Sequence, residues 1–412
     1  MNPFFLIILF ALIIEYVIDA VAHLLNVKSL RAEPPSALAD VYQPGDYRRT
    51  QDYIRTNTRF ALAASTFHLA VLLSFWFAGG FNYLDRLVRA WGFAPIPTGL
   101  LYIAVLALGY SLLTLPFSIY RTFVIEDRFG FNRTTPRTFV LDRIKGLGLA
   151  ALLGGAFLSG ILALFEHAGS YAWVYCWLAF TIVFLILEYV APVWLLPLFN
   201  KFTPLESGEL REAIFAYARS VDFPIKNVFV MDGSRRSTKS NAFFIGFGRH
   251  KRIALFDTLL KKHTVPELIA VLAHEIGHHK KKHIIQNTVF SILHAGIVLF
   301  LLSIFLRSPG LYQAFYMEQP SIYSGLVFFA LLCTPLEMVI SLVTNALSRK
   351  NEYEADRFAA RTIPHPQHLI EALKKLHADN LSNPIPHPFY VFLNYSHPPL
   401  LQRMQAILRC HA

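Results

Sequence analysis

The segment His274-Glu275-Ile276-Gly277-His278 carries the residues whose types and spacing point most directly to chemistry. On a helix, positions i and i+4 lie one turn apart and about 40° around the axis, so both imidazoles can bind one metal ion. The carboxylate of Glu275 is then close enough to take a proton from a water that the metal activates. The motif predicts metal-dependent hydrolysis, and its alternative is a solvated, histidine-rich end of a membrane helix.

A catalytic zinc site keeps three protein ligands and one open position, so a third ligand must come from elsewhere in the chain. His279 and His283 lie about 140° and 180° around the helix from His274, which makes them poor ligands and predicts interfacial positions. Glu352 and Asp356 are four residues apart and share one helical face. We interpret Glu352 as the third ligand and Asp356 as the carboxylate that holds a ligand histidine. The alternative is an acidic face that pairs with neighbouring arginines and lysines.

The composition is that of a membrane protein. Apolar residues make up 54% of the chain and charged residues only 16%, whereas soluble domains carry about 25% charged residues. The net charge of +11 does not require nucleic acid, because basic residues also gather in the cytoplasmic loops of membrane proteins, and we expect no nucleic-acid partner. The three cysteines are far apart and distant from the histidine pair, which argues against disulfides and a thiolate metal site.

Seven segments are long and apolar enough to cross a bilayer, which takes about 20 residues per span. They are residues 3–25, 59–81, 98–120, 144–164, 171–198, 284–306 and 321–347. Basic and non-basic loops alternate between them, so the positive-inside rule predicts an external N-terminus and a cytoplasmic C-terminus. The expected organisation is five membrane helices in 1–199, a cytoplasmic portion with the histidine motif in 200–283, two membrane helices in 284–347 and a second cytoplasmic portion in 348–412.

Short strands are predicted just before the histidine pair, in residues 226–232 and 241–257, where Val, Ile and Phe lie between turn residues. Thr264 and Glu267 then form a capping box, which marks the start of a helix. This helix carries the histidine pair and is expected to continue into the sixth span. The metal site would therefore lie near the cytoplasmic end of the helix bundle.

Ionisable residues also occur inside the predicted spans. Glu15, Asp19 and His23 share one face of the first span, and Glu188 and Glu337 lie in the fifth and seventh spans. Ionisable groups in membranes usually face a bundle interior or a watery cavity, so we expect the first-span residues to line a cavity. The alternative is a buried stripe of ion pairs that only holds helices together.

A series of longer motifs runs in order along nearly the whole chain. It comprises Leu115-Pro-Phe-Ser-Ile-Tyr120, 122–126, 130–132, 197–205, 232–244, 255–259, His274–His278, Glu352–Asp356 and Ser396-His-Pro-Pro-Leu-Leu-Gln-Arg403. The series resembles the type I CAAX prenyl endopeptidases of the a-factor-converting type, which are integral-membrane zinc metalloproteases. His279 departs from the family, which often has an aromatic residue there, and the first span matches more loosely than the rest.

The resemblance implies one zinc ion per chain, bound by His274, His278 and Glu352, with Glu275 as the base. It also implies the fold class: an all-α membrane protein whose seven transmembrane helices form a barrel around a large water-filled chamber. A small α+β cytoplasmic metalloprotease domain is expected to cap this chamber. Asp356 keeps the supporting role that its spacing predicts.

The resemblance further implies substrate-binding residues, namely an edge strand at Asn241, Ala242, Phe243 and Phe244, together with Arg403. His397 and Arg403 match a motif that closes over the zinc site. An extended peptide can add to a free sheet edge, and we expect His397 and Asn241 to donate hydrogen bonds to the developing oxyanion. The alternatives are an asparagine in a turn and a histidine that only starts a helix.

The predicted function is therefore that of a membrane zinc metalloendopeptidase, whose partners are a peptide or protein substrate, with or without a prenyl group, and the lipid bilayer. One alternative is a quality-control endoprotease that meets no prenyl group. Short loops favour a bacterial member in the inner membrane, and a eukaryotic member would lie in the endoplasmic reticulum. A distant alternative is a transporter with structural zinc, which would place the ligands near the bilayer midplane. The substrate, cleavage site and oligomeric state are left open.

Overall fold

Helices dominate the first half of the chain. The computed structural model describes residues 2–42, 45–223, 225, 227–245 and 252–410. The first helices are α1 (Pro3–Lys28), α2 (Asp46–Phe77), α3 (Gly80–Arg89), α4 (Pro95–Tyr120), α5 (Pro136–Leu149), α6 (Gly155–His167), α7 (Ala172–Val190) and α8 (Leu196–Phe199). Three π-helical segments extend α4, join α5 to α6 and join α7 to α8, namely Arg121–Glu126, Ala150–Gly154 and Ala191–Leu195.

The second half mixes four strands with further helices. In chain order these are β1 (Phe202–Pro204), α9 (Glu209–Ser220), β2 (Asn227–Met231), β3 (Ala242–Ile245), β4 (Arg252–Phe256), α10 (Asp257–Leu260), α11 (Val265–Lys280), α12 (His283–Phe305), α13 (Pro309–Gln313), α14 (Ile322–Leu332), α15 (Thr334–Thr362), α16 (Gln367–Asp379), α17 (Pro388–Asn394) and α18 (Leu400–Arg409).

Six helices in the described part of the chain are long and apolar enough to cross a membrane, and a bent pair makes a seventh. The six are α1, α2, α4 with its π-helical extension, α5–α6, α7–α8 and α12. Large apolar side chains such as Ile7, Leu112 and Trp194 are exposed on these helices, as expected where a helix faces lipid. The predicted membrane-helix architecture is therefore confirmed.

Two span boundaries differ from the prediction. The second span belongs to a longer helix that begins at Asp46 and ends at Phe77, because Gly79 takes a left-handed φ of 71° and starts a new helix. The seventh span is bent by 54° between α14 and α15. Pro335 lies in the first turn of α15, where it has no N–H to continue the hydrogen bonding of α14, and this accounts for the bend.

The expected continuation of the motif helix into the sixth span is wrong. The capping box is present, with the Thr264 N–H donating to Glu267 Oε2 at 3.0 Å, but α11 ends at Lys280. Lys282 then takes a left-handed φ of 60°, and α12 starts at His283. A non-glycine residue pays about 1–2 kcal/mol for that conformation. The break contains neither Gly nor Pro, so the sequence carries no local signal for it.

The predicted strand segments contain β2, β3 and β4, and β1, which the sequence analysis does not predict, joins them in one four-stranded sheet in the order β1-β2-β4-β3. Strands β2 and β4 are parallel, whereas β1 and β3 run antiparallel to their neighbours. β3 is an edge strand, and its first residue, Ala242, pairs with Leu255 of β4. The strand that contains the predicted substrate residues is therefore at the border of the sheet.

The two soluble portions of the chain share one hydrophobic core. Its buried members include Ile253 of β4, Leu272 of α11, Ala359 of α15, Ile370 of α16 and Ile407 of α18. Helices that lie on either side of the last two spans in the sequence therefore pack around the same sheet. This shared core brings the first metal-binding motif close to the second.

A polar cluster connects the membrane helices to the segment before β3. Lys239 donates to Glu126 Oε2 at 2.9 Å and to the Tyr53 hydroxyl at 2.8 Å, and that hydroxyl donates to Glu126 Oε1 at 2.6 Å. The Lys239 ammonium also lies 4.4 Å from the centre of the Phe131 ring. We call Tyr53, Glu126, Phe131 and Lys239 the loop clamp, because they hold residues 232–240 against the end of α4.

Candidate active site

Helices α11 and α15 approach closely where the two metal-binding motifs meet. A Cβ atom built on Gly277 would lie 3.0 Å from Ala355 Cα and 3.1 Å from the Ala355 carbonyl oxygen. A larger residue at this position would push the neighbouring helix away by at least a few tenths of an ångström. Gly277 and Ala355 therefore let the histidine pair of one helix face Glu352 of the other.

Three side chains at this crossing converge on one point. His274 Nε2 lies 3.1 Å from His278 Nε2 and 3.4 Å from Glu352 Oε2, and His278 Nε2 lies 3.2 Å from Glu352 Oε1. The ligand atoms of a tetrahedral zinc ion are separated by about 3.3 Å. Glu352 Oε2 is buried and makes no hydrogen bond within the described residues, so it is left for a cation. The donor set therefore fits a metal ion.

A second layer of charge supports His274. Its Nδ1 lies 2.9 Å from Asp356 Oδ1, as the spacing of Glu352 and Asp356 predicts. Arg403 Nε and Nη2 donate to the two Asp356 oxygens at 2.8 and 2.7 Å, and Arg403 Nη1 lies 3.5 Å from Glu352. Arg403 thus lies behind the metal ligands, where it balances the charge of two buried carboxylates.

The electrostatic surroundings of α11 favour a bound cation at His274 and a proton acceptor at Glu275. Burial disfavours the protonation of His274, but Asp356 and Glu352 outweigh it and raise the pKa of the imidazole to about 9. The same carboxylates would stabilise a metal ion in place of that proton. Burial also raises the pKa of Glu275, against the opposing influence of the two histidines. A carboxylate with a raised pKa is the better proton acceptor.

An open cavity of about 680 Å³ adjoins the cluster. Glu275, Asn241, Ala242, His397 and Arg403 line it together with the three metal-ligand candidates. The side chain of His397 is 63% exposed, and its Nε2 lies 3.4 Å from Glu352 Oε1. The structure therefore brings residues from β3, α11, α15 and the start of α18 around one solvent-accessible space.

The predicted substrate residues lie at the rim of this cavity. Asn241 immediately precedes β3, and its own Oδ1 accepts a hydrogen bond from the Ala242 N–H at 2.9 Å. The backbones of Phe243 and Phe244 belong to β3, whereas their side chains lie outside the described part of the structure. Asn241 itself lines the cavity, beside the metal-ligand candidates.

The predicted interfacial position of His283 is wrong. Its side chain is buried, and its Nδ1 lies 3.0 Å from His278 Nδ1. The break at Lys282 brings the first residue of α12 back against the end of α11. The helical angles place His283 on the far side of an unbroken helix, so the sequence could reveal this contact only if the break were known.

Comparison with known proteins identifies the family. Residues 204–411 match the model of peptidase family M48, and residues 23–201 match that of the CAAX prenyl protease N-terminal region with five membrane helices. The chain belongs to peptidase family M48. This membership confirms a membrane metallopeptidase, implies a metal at the site and leaves the transporter alternative without support.

Several proteins similar to this M48 member cover most of its length. The probable CAAX prenyl protease 1 of Schizosaccharomyces pombe is 37% identical over 92% of this chain and 82% of its own. The CAAX prenyl protease 1 homolog of Homo sapiens is 35% identical over 80% and 79%. The crystal structure of S. mikatae Ste24p superposes with a TM-score of 0.93 at 32% identity over 99% of both chains. This similarity confirms the chamber-type membrane fold, and these relatives are eukaryotic.

Proposed function

We propose that this M48 peptidase binds one zinc ion through His274, His278 and Glu352. The observation that carries the proposal is the set of ligand-atom separations of 3.1, 3.2 and 3.4 Å, which match those of a tetrahedral site. Two imidazoles and a carboxylate form a ligand set that zinc peptidases use. Bound zinc would supply Lewis acidity, which lowers the pKa of a water and polarises the scissile carbonyl.

Glu275 is the general base in this proposal. Its carboxylate takes a proton from the water as the water oxygen adds to the carbonyl carbon of the substrate. The same carboxyl group then gives the proton to the amide nitrogen as the C–N bond breaks and the amine leaves. The raised pKa of Glu275 supports both steps, because it favours accepting the proton and still allows its release.

The substrate peptide pairs with β3 in this proposal. An added strand would hydrogen-bond to the backbone of residues 242–244, and its carbonyl would lie towards the metal-ligand cluster. His397 and Asn241 would donate hydrogen bonds to the oxyanion, since both line the cavity beside Glu352. Arg403 also lines the cavity while it pairs with Asp356 and Glu352, so we expect it to contribute to substrate binding and to hold the metal ligands in place.

We further propose that the substrate is a peptide with a prenylated cysteine near its C-terminus, in a CAAX sequence. The supporting observation is that the reported relatives are named CAAX prenyl proteases and that the similarity spans the membrane helices as well as the peptidase region. Membrane helices around the site place it beside the bilayer, where the prenyl chain of a substrate can be shielded from water. The bilayer is accordingly the second partner, and the endoplasmic reticulum is the expected membrane of a eukaryotic member.

The test compares one peptide with and without a farnesyl group on its cysteine, using purified full-length protein in lipid nanodiscs. We expect kcat/KM to be at least tenfold higher for the farnesylated peptide. Equal cleavage of both peptides would favour the quality-control alternative. Glu275→Gln should bind as much zinc as the unaltered protein and cleave neither peptide; turnover by this variant would contradict the assigned base.

A further inference from the structure

His283 connects a metal-ligand candidate to a carboxylate that has no role in the proposed reaction. The residue is 3% exposed, and its Nδ1 lies 3.0 Å from His278 Nδ1. On its other side, Nε2 lies 3.3 Å from Glu354 Oε2. Lys350 lies 3.9 Å from the other oxygen of Glu354. Three side chains thus form a hydrogen-bonded row that ends at a carboxylate near the protein surface.

The row has one assignment of protons that satisfies every contact. His278 Nε2 faces His274 and Glu352, so it must be unprotonated to bind a metal, and its Nδ1 then carries the proton. That N–H donates to His283 Nδ1. The proton of neutral His283 is consequently on Nε2, where it donates to the Glu354 carboxylate. Each nitrogen and oxygen has a complementary partner.

We propose that His283 is a positioning residue that fixes the tautomer and orientation of His278, with Glu354 fixing those of His283. Metal-binding histidines generally donate their second N–H to such a partner, and Asp356 provides one for His274. His283 and Glu354 thus orient His278 in the same way that Asp356 and Arg403 orient His274. This inference rests on the proposed role of His278 as a metal ligand.

The break between α11 and α12 makes the contact possible. His283 is five positions after His278, and in a continuous helix the two side chains would point about 140° apart. The left-handed conformation of Lys282 turns the chain so that the two rings meet, with centroids 5.1 Å apart and planes inclined by 73°. The left-handed conformation of Lys282 costs free energy. In this proposal the break that it creates has a function, because it brings His283 to the metal site.

The test measures metal retention in full-length protein with His283 changed in two ways. His283→Phe keeps a ring but removes both nitrogens, whereas His283→Asn keeps an acceptor close to the position of Nδ1. We expect His283→Phe to lose Zn²⁺ to a chelator about 10–100 times faster than the unaltered protein. His283→Asn should lose it no more than a few times faster. Equal rates for all three proteins, or equally fast loss from both variants, would overturn the proposal.

Replacing zinc with cobalt provides a second measurement. The visible spectrum of bound Co²⁺ would not change if His283 had only a structural role. The visible spectrum of bound Co²⁺ should shift in His283→Phe and stay close to the original in His283→Asn, because only the former frees His278 to rotate. Glu354→Leu changes a partly exposed residue and should give a smaller shift in the same direction, which keeps the proposal testable if His283→Phe does not fold. An unchanged spectrum in Glu354→Leu, together with an unchanged rate of metal loss, would contradict the proposal that Glu354 and His283 orient His278.

Two further variants separate the possible causes of a negative result. His279→Phe changes the neighbouring histidine, whose ring packs against Phe223 at 5.0 Å, and should leave metal loss and the cobalt spectrum unchanged. His278→Ala should abolish tight binding. Tight binding by His278→Ala would overturn the proposed ligand set itself. Loss of binding by His278→Ala, with normal retention by His283→Phe, would overturn only the role of His283.

Discussion

Asp356 shows how much of this site depends on charged groups outside the set of metal ligands. Its two oxygens receive hydrogen bonds from Arg403, and one of them also lies 2.9 Å from His274 Nδ1. All three side chains are buried, so their interactions are little screened by water. The orientation of His274 therefore depends on a buried ion pair.

We predict that Asp356→Asn weakens zinc binding about 10–100-fold, because the amide keeps an oxygen near His274 but loses the charge that stabilises the metal-bound imidazole. Competition with a fluorescent chelator measures the dissociation constant. Asp40→Asn is the matched control, since it changes an exposed carboxylate that pairs with Lys374 and should leave zinc affinity unchanged. An unaltered dissociation constant in Asp356→Asn would show that the carboxylate does not support the metal.

At the scale of elements, the crossing of α11 and α15 decides whether the metal site exists. We predict that Gly277→Val separates the helices, costs about 1–3 kcal/mol of stability through overpacking and lowers the zinc content below a tenth of an ion per chain. Elemental analysis of the purified protein gives the content. Gly109→Val is the control, because a Cβ there meets nothing within 4 Å. Normal zinc content in Gly277→Val would mean that the close contact is dispensable.

The loop clamp is the element that connects the membrane helices to the substrate strand. We predict that Lys239→Met raises KM about 3–10-fold with little change in kcat or zinc content, because Glu126 loses its cation and residues 232–240 no longer hold the start of β3. Steady-state kinetics with one peptide separates KM from kcat. Lys374→Met, which removes a remote ion pair with Asp40, should change neither constant. A fall in kcat alone would assign the clamp to the chemical step.

For the whole molecule, the arrangement of basic loops predicts which side of the membrane holds the site. Trp91 is 67% exposed after the second span, and Lys281 is exposed beside the metal helix. In sealed vesicles of a cysteine-free background, a membrane-impermeant maleimide should label Trp91→Cys from the outside and Lys281→Cys only after permeabilisation. Labelling of both positions from one side would refute the proposed topology and the partition into 1–199, 200–283, 284–347 and 348–412.

The membrane spans and the motif helix were predictable because their signals are local. Twenty apolar residues identify a span wherever it packs, and a capping box identifies a helix start from four residues. The bend at Pro335 could also be expected, since proline interrupts a helix by itself. The break at Lys282 could not, because a left-handed lysine is held in place by its surroundings rather than by its own preference.

By itself, the sequence determined that His274 and His278 face the same way, because helix geometry fixes the direction of residues four positions apart. It also placed Glu352 and Asp356 on one face of another helix. Only the tertiary structure decided that these faces meet, since the contact depends on the packing of Gly277 against Ala355 across 78 residues of chain. The same holds for His283, which contacts His278 because the helix breaks at Lys282. No local residue preference predicts this break.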